Sequence, residues 1–334
     1  MTETTAFNGN DIEHERGVKP ARGNDQRIIG YKLYFPESND DGVRYTVGNT
    51  YEVKGFYSSE EFWVGSLLDM LRFWVCDTDL LKWDVTGKSN KNVVHFFEVS
   101  VNKKDAFDYT PDKKAARRFL IEREFSFQEF VRAAIKRSGW DHSRVVMCGT
   151  KNAFVSSRDD AVLDGGNVEI MAACGKRAQF EAYGARSAPS IFAIGDDAVI
   201  TAHGNETTLI ASGLRSRLDL SGEFCTVVAD GDYNVLNVTG DNNKIKAGGE
   251  RAKITAFGNH CVCKTTGQKS FIDIKGRFGS FQGVEGTLVQ IADYNAAHER
   301  QDDLFARIGE NNVKPDTLYT TQNGRFIEVE AGNE

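Results

Sequence analysis

The sequence predicts a mainly β protein, in which a parallel β-solenoid of nine-residue repeats lies between an N-terminal α+β domain and a C-terminal helix and hairpin cap. The main observation is a run of glycines at nine-residue intervals: Gly195, Gly204, Gly213, Gly222, Gly231, Gly240, Gly249, Gly258, Gly267 and Gly276. Counting from each glycine, the fifth residue is mostly bulky and apolar, and the third and seventh are mostly small or aliphatic. Because such alternation is typical of a strand with one buried face, each repeat should be one strand and one turn.

Two repeats are predicted to form one coil of about eighteen residues, with one strand in each of two opposed sheets. The solenoid is assigned to residues 142–292, with a degenerate start at 145–149, a two-residue insertion around Pro189 and one slipped residue at Gly286. Roughly eight coils would span about 40 Å. Glycine is expected to supply a positive φ at each corner, and the Asp or Asn that often follows is expected to bond back to its own turn.

Residues 26–141 are predicted to form the α+β domain, behind a polar and flexible arm at residues 1–25. Strands are predicted at 27–35, 43–53, 93–101 and 119–125, and the apolar spacing from Ser59 to Trp74 predicts a helix. Ser126 and Glu129 form a capping box, which predicts a second helix running through Ile135.

Residues 293–334 are predicted to cap the solenoid with a short helix at 295–308 and a hairpin at 317–330. Asn323 and Gly324 stand at the centre of an alternating stretch, which is typical of a type I′ turn. Because the last coil leaves two strand edges with unpaired backbone groups, this segment should cover them. The alternative is that it pairs with another copy of the protein and produces a homo-oligomer.

Composition favours a protein that works in a reducing compartment and not in a membrane. No apolar run in the 334 residues is long enough to cross a bilayer, and the stretch from Met1 to Gly17 lacks the apolar core of a signal peptide. Six cysteines show no disulfide framework. Cys225, Cys261 and Cys263 fall on inward positions of the repeat, where a free thiol packs as a small hydrophobe.

The net charge of −7 is unevenly distributed along the chain. Residues 196–277 contain ten acidic and ten basic residues, whereas residues 287–334 contain nine acidic and four basic ones. A nucleic-acid binder should show a basic face and a nucleic-acid mimic should show acidic rows, and the repeats show neither clearly. The locally basic outer positions could hold a phosphate backbone, or they could form a solvated strand face. The candidate interaction residues are Arg217, Lys244, Lys246, Lys253, Lys264 and Phe271.

The sequence assigns no catalytic residue, metal or cofactor. It contains no phosphate-binding loop, nucleophile elbow or His-Glu-x-x-His motif. His260 should point outward while Cys261 and Cys263 point inward, and the third repeat position lacks the carboxylate of calcium-binding β-rolls.

One polar cluster leaves an enzyme alternative open. Residues 57–61 form a Tyr-Ser-Ser-Glu-Glu stretch that would suit a nucleotide-using transferase similar to ADP-ribosyltransferases. The favoured interpretation is the N terminus of a helix, where serines cap and glutamates stabilise the positive end of the helix dipole. His95 and Glu98 lie on a predicted strand with no partner that the sequence identifies.

The order of these parts resembles a group of phage and prophage proteins of unknown function. The matching residues are Tyr45-Thr-Val-Gly-Asn-Thr-Tyr51, the nine-residue array, and Lys314-Pro-Asp-Thr-Leu-Tyr-Thr320 followed by Asn323-Gly324. Members carry a Gly-Phe-His element where this chain has Gly55-Phe56-Tyr57, so the histidine is replaced.

The resemblance implies a non-enzymatic interaction or scaffold protein in the host cytoplasm or the virion. Its solenoid would face a macromolecular partner, with a host-defence protein or another phage protein favoured over nucleic acid.

Overall fold

The computed structural model describes residues 12–15, 27–34, 44–53, 60–65, 67, 70–71, 94–137, 153–166, 168–183, 188–295 and 297–329. The chain forms two compact units, the first reaching Phe130 and the second beginning at Val131, with Leu71 grouped with the second. Among the described residues, no helix has the length and apolarity required to cross a membrane.

The first unit is an eight-stranded antiparallel sheet in the order β1-β3-β8-β5-β2-β4-β7-β6. A single 3-10 turn, Lys103–Asp105, and the helix α1, Phe127–Arg137, are the other elements described between residues 94 and 137. The strands are β1 (Ile12–Glu15), β2 (Arg27–Tyr34), β3 (Thr50–Val53), β4 (Glu60–Trp63), β5 (His95–Asn102), β6 (Ala106–Thr110), β7 (Lys113–Ala116) and β8 (Arg118–Phe125).

The predicted capping box opens helix α1. The backbone N–H of Glu129 donates to Ser126 Oγ at 3.2 Å, and the backbone N–H of Ser126 donates to Glu129 Oε2 at 2.9 Å. The Ser126 hydroxyl also donates to Glu129 Oε2 at 3.1 Å, and the two bonds that the carboxylate accepts from Ser126 lower the pKa of Glu129. Phe130 of the helix packs against Phe96 in the sheet, with ring centroids 5.0 Å apart.

The helix predicted from Ser59 to Trp74 is wrong over its first part. Residues 60–63 form strand β4, which pairs with β7 on one side and with β2 at Tyr31 and Trp63 on the other. Alternation within this strand buries Phe62, while helical structure is described at residues 67, 70 and 71. Apolar spacing alone did not separate a short strand from the helix after it, because both elements bury one face. Four residues of the predicted arm, Ile12–Glu15, pair with β3 as β1.

The Y-x-V-G-x-x-Y stretch builds the core of the first unit. Tyr51 is buried, and its hydroxyl accepts from the Thr46 backbone N–H at 2.7 Å and donates to the Arg44 carbonyl at 3.1 Å. Tyr45 packs edge-on against Tyr51 with ring centroids 4.9 Å apart. Gly48 donates its N–H to the Ile121 carbonyl at 2.8 Å, so the stretch ties a turn to strand β8. The motif therefore has a structural role.

The second unit contains the predicted parallel β-solenoid. In the described part of the chain, each of its two sheets has eight parallel strands. The odd sheet contains β9 (Ala153–Ser156), β11 (Ile170–Ala173), β13 (Ser190–Ala193), β15 (Thr208–Ala211), β17 (Thr226–Ala229), β19 (Lys244–Ala247), β21 (Val262–Thr265) and β23 (Ser280–Gln282). The even sheet contains β10 (Val162–Gly166), β12 (Gln179–Tyr183), β14 (Val199–His203), β16 (Arg217–Ser221), β18 (Val235–Thr239), β20 (Lys253–Ala256), β22 (Phe271–Ile274) and β24 (Leu288–Ile291).

Strand register confirms the length of the coil and its irregularities. Leu218 pairs with Leu236, so corresponding positions of adjacent coils are eighteen apart in the chain. Ile170 pairs with Ser190, two positions further along than the regular repeat would give, which confirms the insertion near Pro189. Phe271 pairs with Leu288, one position short of the regular repeat, which agrees with the slip predicted at Gly286. The degenerate start predicted at 145–149 lies outside the described residues.

The solenoid interior is the predicted one. All fifth-position side chains are fully buried, with 0% exposure: Ile200, Leu209, Leu218, Val227, Leu236, Ile245, Ile254, Cys263, Ile272 and Phe281. The third and seventh positions are buried around them. Burial raises the pKa of the Cys225, Cys261 and Cys263 thiols, which keeps them protonated.

The positive φ predicted for the repeat glycines is found at Gly204 and Gly240, and the other eight have a different role. A Cβ placed on Gly213 would lie 1.9 Å from the carbonyl oxygen of Gly195 in the preceding coil, and Gly231 meets Gly213 in the same way at 1.8 Å. Glycine is therefore required at these positions by close approach between stacked backbones. The left-handed conformation belongs to the residue two positions later, as in Arg215 with φ 55°.

The Asp and Asn side chains of the turns bond forward, not back to their own turn as predicted. Asp196 Oδ1 accepts the backbone N–H of Leu214 at 3.0 Å, and Asn205 Oδ1 accepts that of Glu223 at 2.9 Å. In each pair the donor stands one full coil after the acceptor, so a turn oxygen joins one coil to the next. These oxygens satisfy backbone donors that the sheet ladders leave unpaired at the corners.

The C-terminal segment covers both strand edges of the last coil. Strand β25 (Leu304–Arg307) pairs antiparallel with β24, and β26 (Tyr319–Gln322) pairs antiparallel with β23. The predicted hairpin joins β26 to β27 (Arg325–Glu328) through Asn323 and Gly324, which both have positive φ. The helix predicted at 295–308 is wrong, because residues 304–307 form strand β25 and no helical residue is described between 297 and 308. The ladder of β25 with β24 satisfies a strand edge that a helix would leave open.

Candidate binding groove

The six interaction residues predicted from the sequence do not form one surface. Arg217, Lys253 and Phe271 stand at the start of even-sheet strands. The other three, Lys244, Lys246 and Lys264, lie on odd-sheet strands β19 and β21. Since the two sheets face opposite sides of the solenoid, the set divides into two groups.

Their environments also differ. Arg217 is neutralised by Asp219, whose carboxylate accepts its Nε–H at 2.7 Å. Lys253 is exposed, and its Nζ lies 6.0 Å from the ring centroid of Phe271. Lys246 was expected on a solvated face but is only 8% exposed. It belongs to an outward row of the odd sheet that is buried along much of its length, at Phe192, Ile210 and Val228.

Two columns of side chains run along the corners of the solenoid, and neither was predicted from the sequence. Each column contains, from every second turn, the residue whose backbone has the left-handed conformation. Corner A, where the chain passes from the odd to the even sheet, carries Asp160, Arg177, Asp197, Arg215, Tyr233, Arg251 and Lys269. Corner B, where it passes from the even to the odd sheet, carries Glu206, Phe224, Asn242, His260 and Phe278. Both columns could be found in the sequence, because nearly all of their members stand two positions after the repeat glycines.

Corner A begins as a column of ion pairs. Arg177 donates two hydrogen bonds to Asp160, at 2.6 and 2.7 Å, and Arg215 donates two to Asp197, at 2.7 and 2.9 Å. These bonds lower the pKa of both aspartates. Every group in these pairs is solvent-exposed, so they contribute little to stability.

Corner B is mainly aromatic and apolar. Phe224 and Phe278 leave 59% and 51% of their surface exposed. The ring of His260 stacks on Phe278, with centroids 4.9 Å apart and an interplanar angle of 23°. These side chains border an open groove of about 500 Å³, which is the size of a typical ligand site. Its lining is Phe224, Asn242, Lys244, His260, Val262, Phe278, Ser280, Leu318, Thr320 and Val329.

The C-terminal hairpin forms one wall of this groove. Leu318, Thr320 and Val329 come from the hairpin, and the Thr320 hydroxyl donates to the Gly279 carbonyl at 2.8 Å. Between them Tyr319 is buried, stacks on Phe281 at 5.8 Å and accepts the Lys314 backbone N–H at 3.0 Å. The wall is therefore fixed to the last coils of the solenoid.

The chemistry of the lining suits binding. Among the lining residues that the structure describes, the titratable side chains are Lys244 and His260, and none is a carboxylate. Ser280 and Thr320 provide hydroxyls, while the remaining contacts are apolar, aromatic or amide. Such a groove fits an apolar segment that carries a negative or polar group.

Of the candidate residues predicted in the first unit, those that the structure describes bond to different partners. His95 Nδ1 lies 2.6 Å from Glu124 Oε1, while Glu98 Oε2 accepts from the Tyr31 hydroxyl at 3.2 Å. Burial raises the pKa of Glu98. Glu61 pairs with Lys113 at 3.5 Å. Of the polar cluster at 57–61, residues 57–59 lie outside the described residues.

Fold and groove together define a β-solenoid protein that carries a separate antiparallel sheet unit and an open groove at one corner. A scan against protein-family models, a search of curated proteins and a search of solved structures find no match to this chain.

Proposed function

We propose that the protein is a non-enzymatic interaction protein, and that the corner B groove is where its solenoid binds a protein partner. The observation that carries this proposal is the pair of exposed phenylalanines at left-handed positions. Phe224 and Phe278 have φ of 58° and 55°. A bulky residue is disfavoured in this conformation, so neither position is chosen for backbone stability.

The fold itself does not require an aromatic residue there. Asn242 occupies the equivalent position between them with the same φ of 58°. Asparagine tolerates this conformation better than most L-residues. An exposed ring that strains the backbone and leaves half of its surface in water is therefore better explained by binding than by folding.

Aromatic residues in a partly enclosed groove are typical anchors for a protein partner. In the phage context that the sequence resembles, the partner would be a host protein, such as a defence enzyme, or another phage protein. A rigid solenoid offers such a partner a preformed surface, which lowers the ordering cost of association.

The test replaces each phenylalanine by the residue that the intervening coil already uses. Phe224→Asn and Phe278→Asn should fold with unchanged or higher melting temperature, since asparagine relieves the left-handed strain. Both should lose the partner that the wild-type protein captures from phage-infected cells, measured by quantitative pull-down.

Tyr233→Asn is the matched control. Tyr233 is an aromatic residue at the same turn position, with φ 61° and 50% exposure, but it stands at corner A. This variant should retain the partner. Retention of the partner by both phenylalanine variants would contradict the proposal, and so would a fall in their melting temperature, which would assign the rings to folding.

A further inference from the structure

A second surface, at the opposite corner, has a different chemistry. It comprises Tyr233, Arg251, Lys253, Lys269 and Phe271 and is called the basic-aromatic patch. Tyr233, Arg251 and Lys269 are consecutive residues of the corner A column. Lys253 and Phe271 pair with each other in register at the start of β20 and β22. Arg251, Lys253 and Lys269 are exposed to solvent.

The patch begins where the ion pairing of corner A stops. In the preceding coils Arg177 and Arg215 each face an aspartate one coil earlier, and on the adjacent strand Arg217 is paired with Asp219. At the next step of the column the acid is replaced by Tyr233, and two basic residues follow it. The patch cations therefore lack an aspartate like those that face Arg177 and Arg215 in the preceding coils.

The patch cations contact rings instead. The Arg251 guanidinium lies 5.4 Å from the ring centroid of Tyr233 and donates to its hydroxyl at 3.0 Å. Lys253 stands over Phe271. The acids in the neighbouring turns are Asp230, which is buried, Asp232, whose carboxylate accepts the backbone N–H of Glu250 at 2.9 Å, and Glu250 itself. Among the described residues, the ion pairs do not include Arg251, Lys253 or Lys269.

We propose that the basic-aromatic patch binds single-stranded nucleic acid. Cations that contact phosphates, beside rings on which bases stack, form the combination that proteins use for single strands without sequence preference. The parallel coils hold these groups at a fixed spacing of about 4.8 Å. The charge of the patch complements a polyanion, although the whole chain has a net charge of −7. This site goes beyond the proposed protein-binding groove, which lies at the other corner.

The number of cations predicts the salt dependence. Three phosphate contacts on a single strand give a slope of about −2 for the logarithm of the association constant against the logarithm of salt concentration. Fluorescence anisotropy of the full chain with a labelled single-stranded thymidine oligonucleotide, titrated at several salt concentrations, measures this slope.

Two variants with the same change in charge separate the patch from the overall charge of the protein. Arg251→Gln with Lys269→Gln should weaken binding and reduce the magnitude of the slope by about 1.4. Lys104→Gln with Arg325→Gln, which removes two exposed cations outside the patch and the groove, should leave affinity and slope as in wild type. Melting temperatures of both variants verify folding. Equal binding by the two variants, or no saturable binding of the wild type at low salt, would overturn the proposal.

A third variant tests the role of the rings. Tyr233→Ala should reduce affinity for the oligonucleotide roughly 5- to 150-fold, the range found when a stacked base loses its aromatic platform. Inorganic polyphosphate, which has no bases, should bind wild type and Tyr233→Ala equally. If Tyr233→Ala bound the oligonucleotide as wild type does, the patch would be a general anion site and the nucleic-acid assignment would be wrong.

Discussion

Replacing Gly213 by alanine tests the stacking of the solenoid corners most directly. The added Cβ would lie 1.9 Å from the Gly195 carbonyl oxygen, whereas real Cβ atoms essentially never approach closer than 3.0 Å. The two coils must therefore separate by at least 3.0 − 1.9 = 1.1 Å at this corner. Because the obstacle is backbone, no side-chain rotation can relieve the contact.

The cost follows from the hydrogen bonds that cross the same gap. The Asp197 N–H donates to the Leu214 carbonyl at 2.8 Å, and the Leu214 N–H donates to Asp196 Oδ1 at 3.0 Å. A separation of 1.1 Å stretches both beyond hydrogen-bonding range. The loss of two hydrogen bonds and the overpacking of the corner should together lower the free energy of unfolding by about 3 kcal/mol. For a unit of this size the melting temperature should fall by about 6–12 °C.

Gly166→Ala is the control for this measurement. A Cβ on Gly166 meets only the Tyr183 carbonyl oxygen, at 3.7 Å, which is an ordinary contact. This substitution should be neutral, or stabilising by up to about 1 kcal/mol through the unfolded state. Thermal unfolding followed by circular dichroism compares the two. If Gly213→Ala melted within a degree of Gly166→Ala, close coil approach would not be the reason for the repeated glycines.

Three further predictions use other parts of the structure. Leu236→Asp places an unpaired charge in the fully buried solenoid interior and should lower the free energy of unfolding, measured in urea, by several kcal/mol. Lys253→Asp, on the exposed face, should change it by less than about 0.5 kcal/mol. Tyr319→Phe leaves the Lys314 N–H without its acceptor and should lower the free energy of unfolding by about 1–2 kcal/mol. EDTA should leave the β circular dichroism unchanged, since the turn oxygens of Asp196 bond to backbone, and the protein should not consume nicotinamide dinucleotide. Loss of β signal in EDTA would refute the first half of this prediction and indicate a structural metal ion. Cleavage of the dinucleotide would refute the second half and favour the transferase alternative.

The interior of the solenoid could be predicted from the sequence because one repeat determines its neighbours. The fifth position of every repeat is buried, so one cysteine at this position, Cys263, among bulky apolar residues does not hide the pattern. Register irregularities were also visible, since an insertion near Pro189 displaces every later glycine from the earlier phase. The hairpin at Asn323 and Gly324 was predicted because its turn chemistry is local.

Features that depend on what packs outside the repeat could not be predicted. Lys246 lies on an outward position of an alternating strand, and alternation alone cannot show that the outer row is buried there. The glycines gave the position of each corner but not the cause, because close approach and positive φ select the same residue. The groove also escaped prediction, since it joins Phe224 and Phe278 to Val329 of the hairpin, residues that only the fold brings together.

The left-handed turn position has a consequence for how this protein can change over generations. Stacked glycines and the buried interior fix the path of the chain, and the residue two places after each glycine faces solvent with any of several chemistries. Aspartate, arginine, asparagine, histidine, tyrosine and phenylalanine all occupy it within this one molecule. Selection for a new partner can thus act on the corner columns one coil at a time, almost independently of selection for folding. A coil duplicated or deleted as one whole block would lengthen or shorten these columns without altering the geometry of the rest.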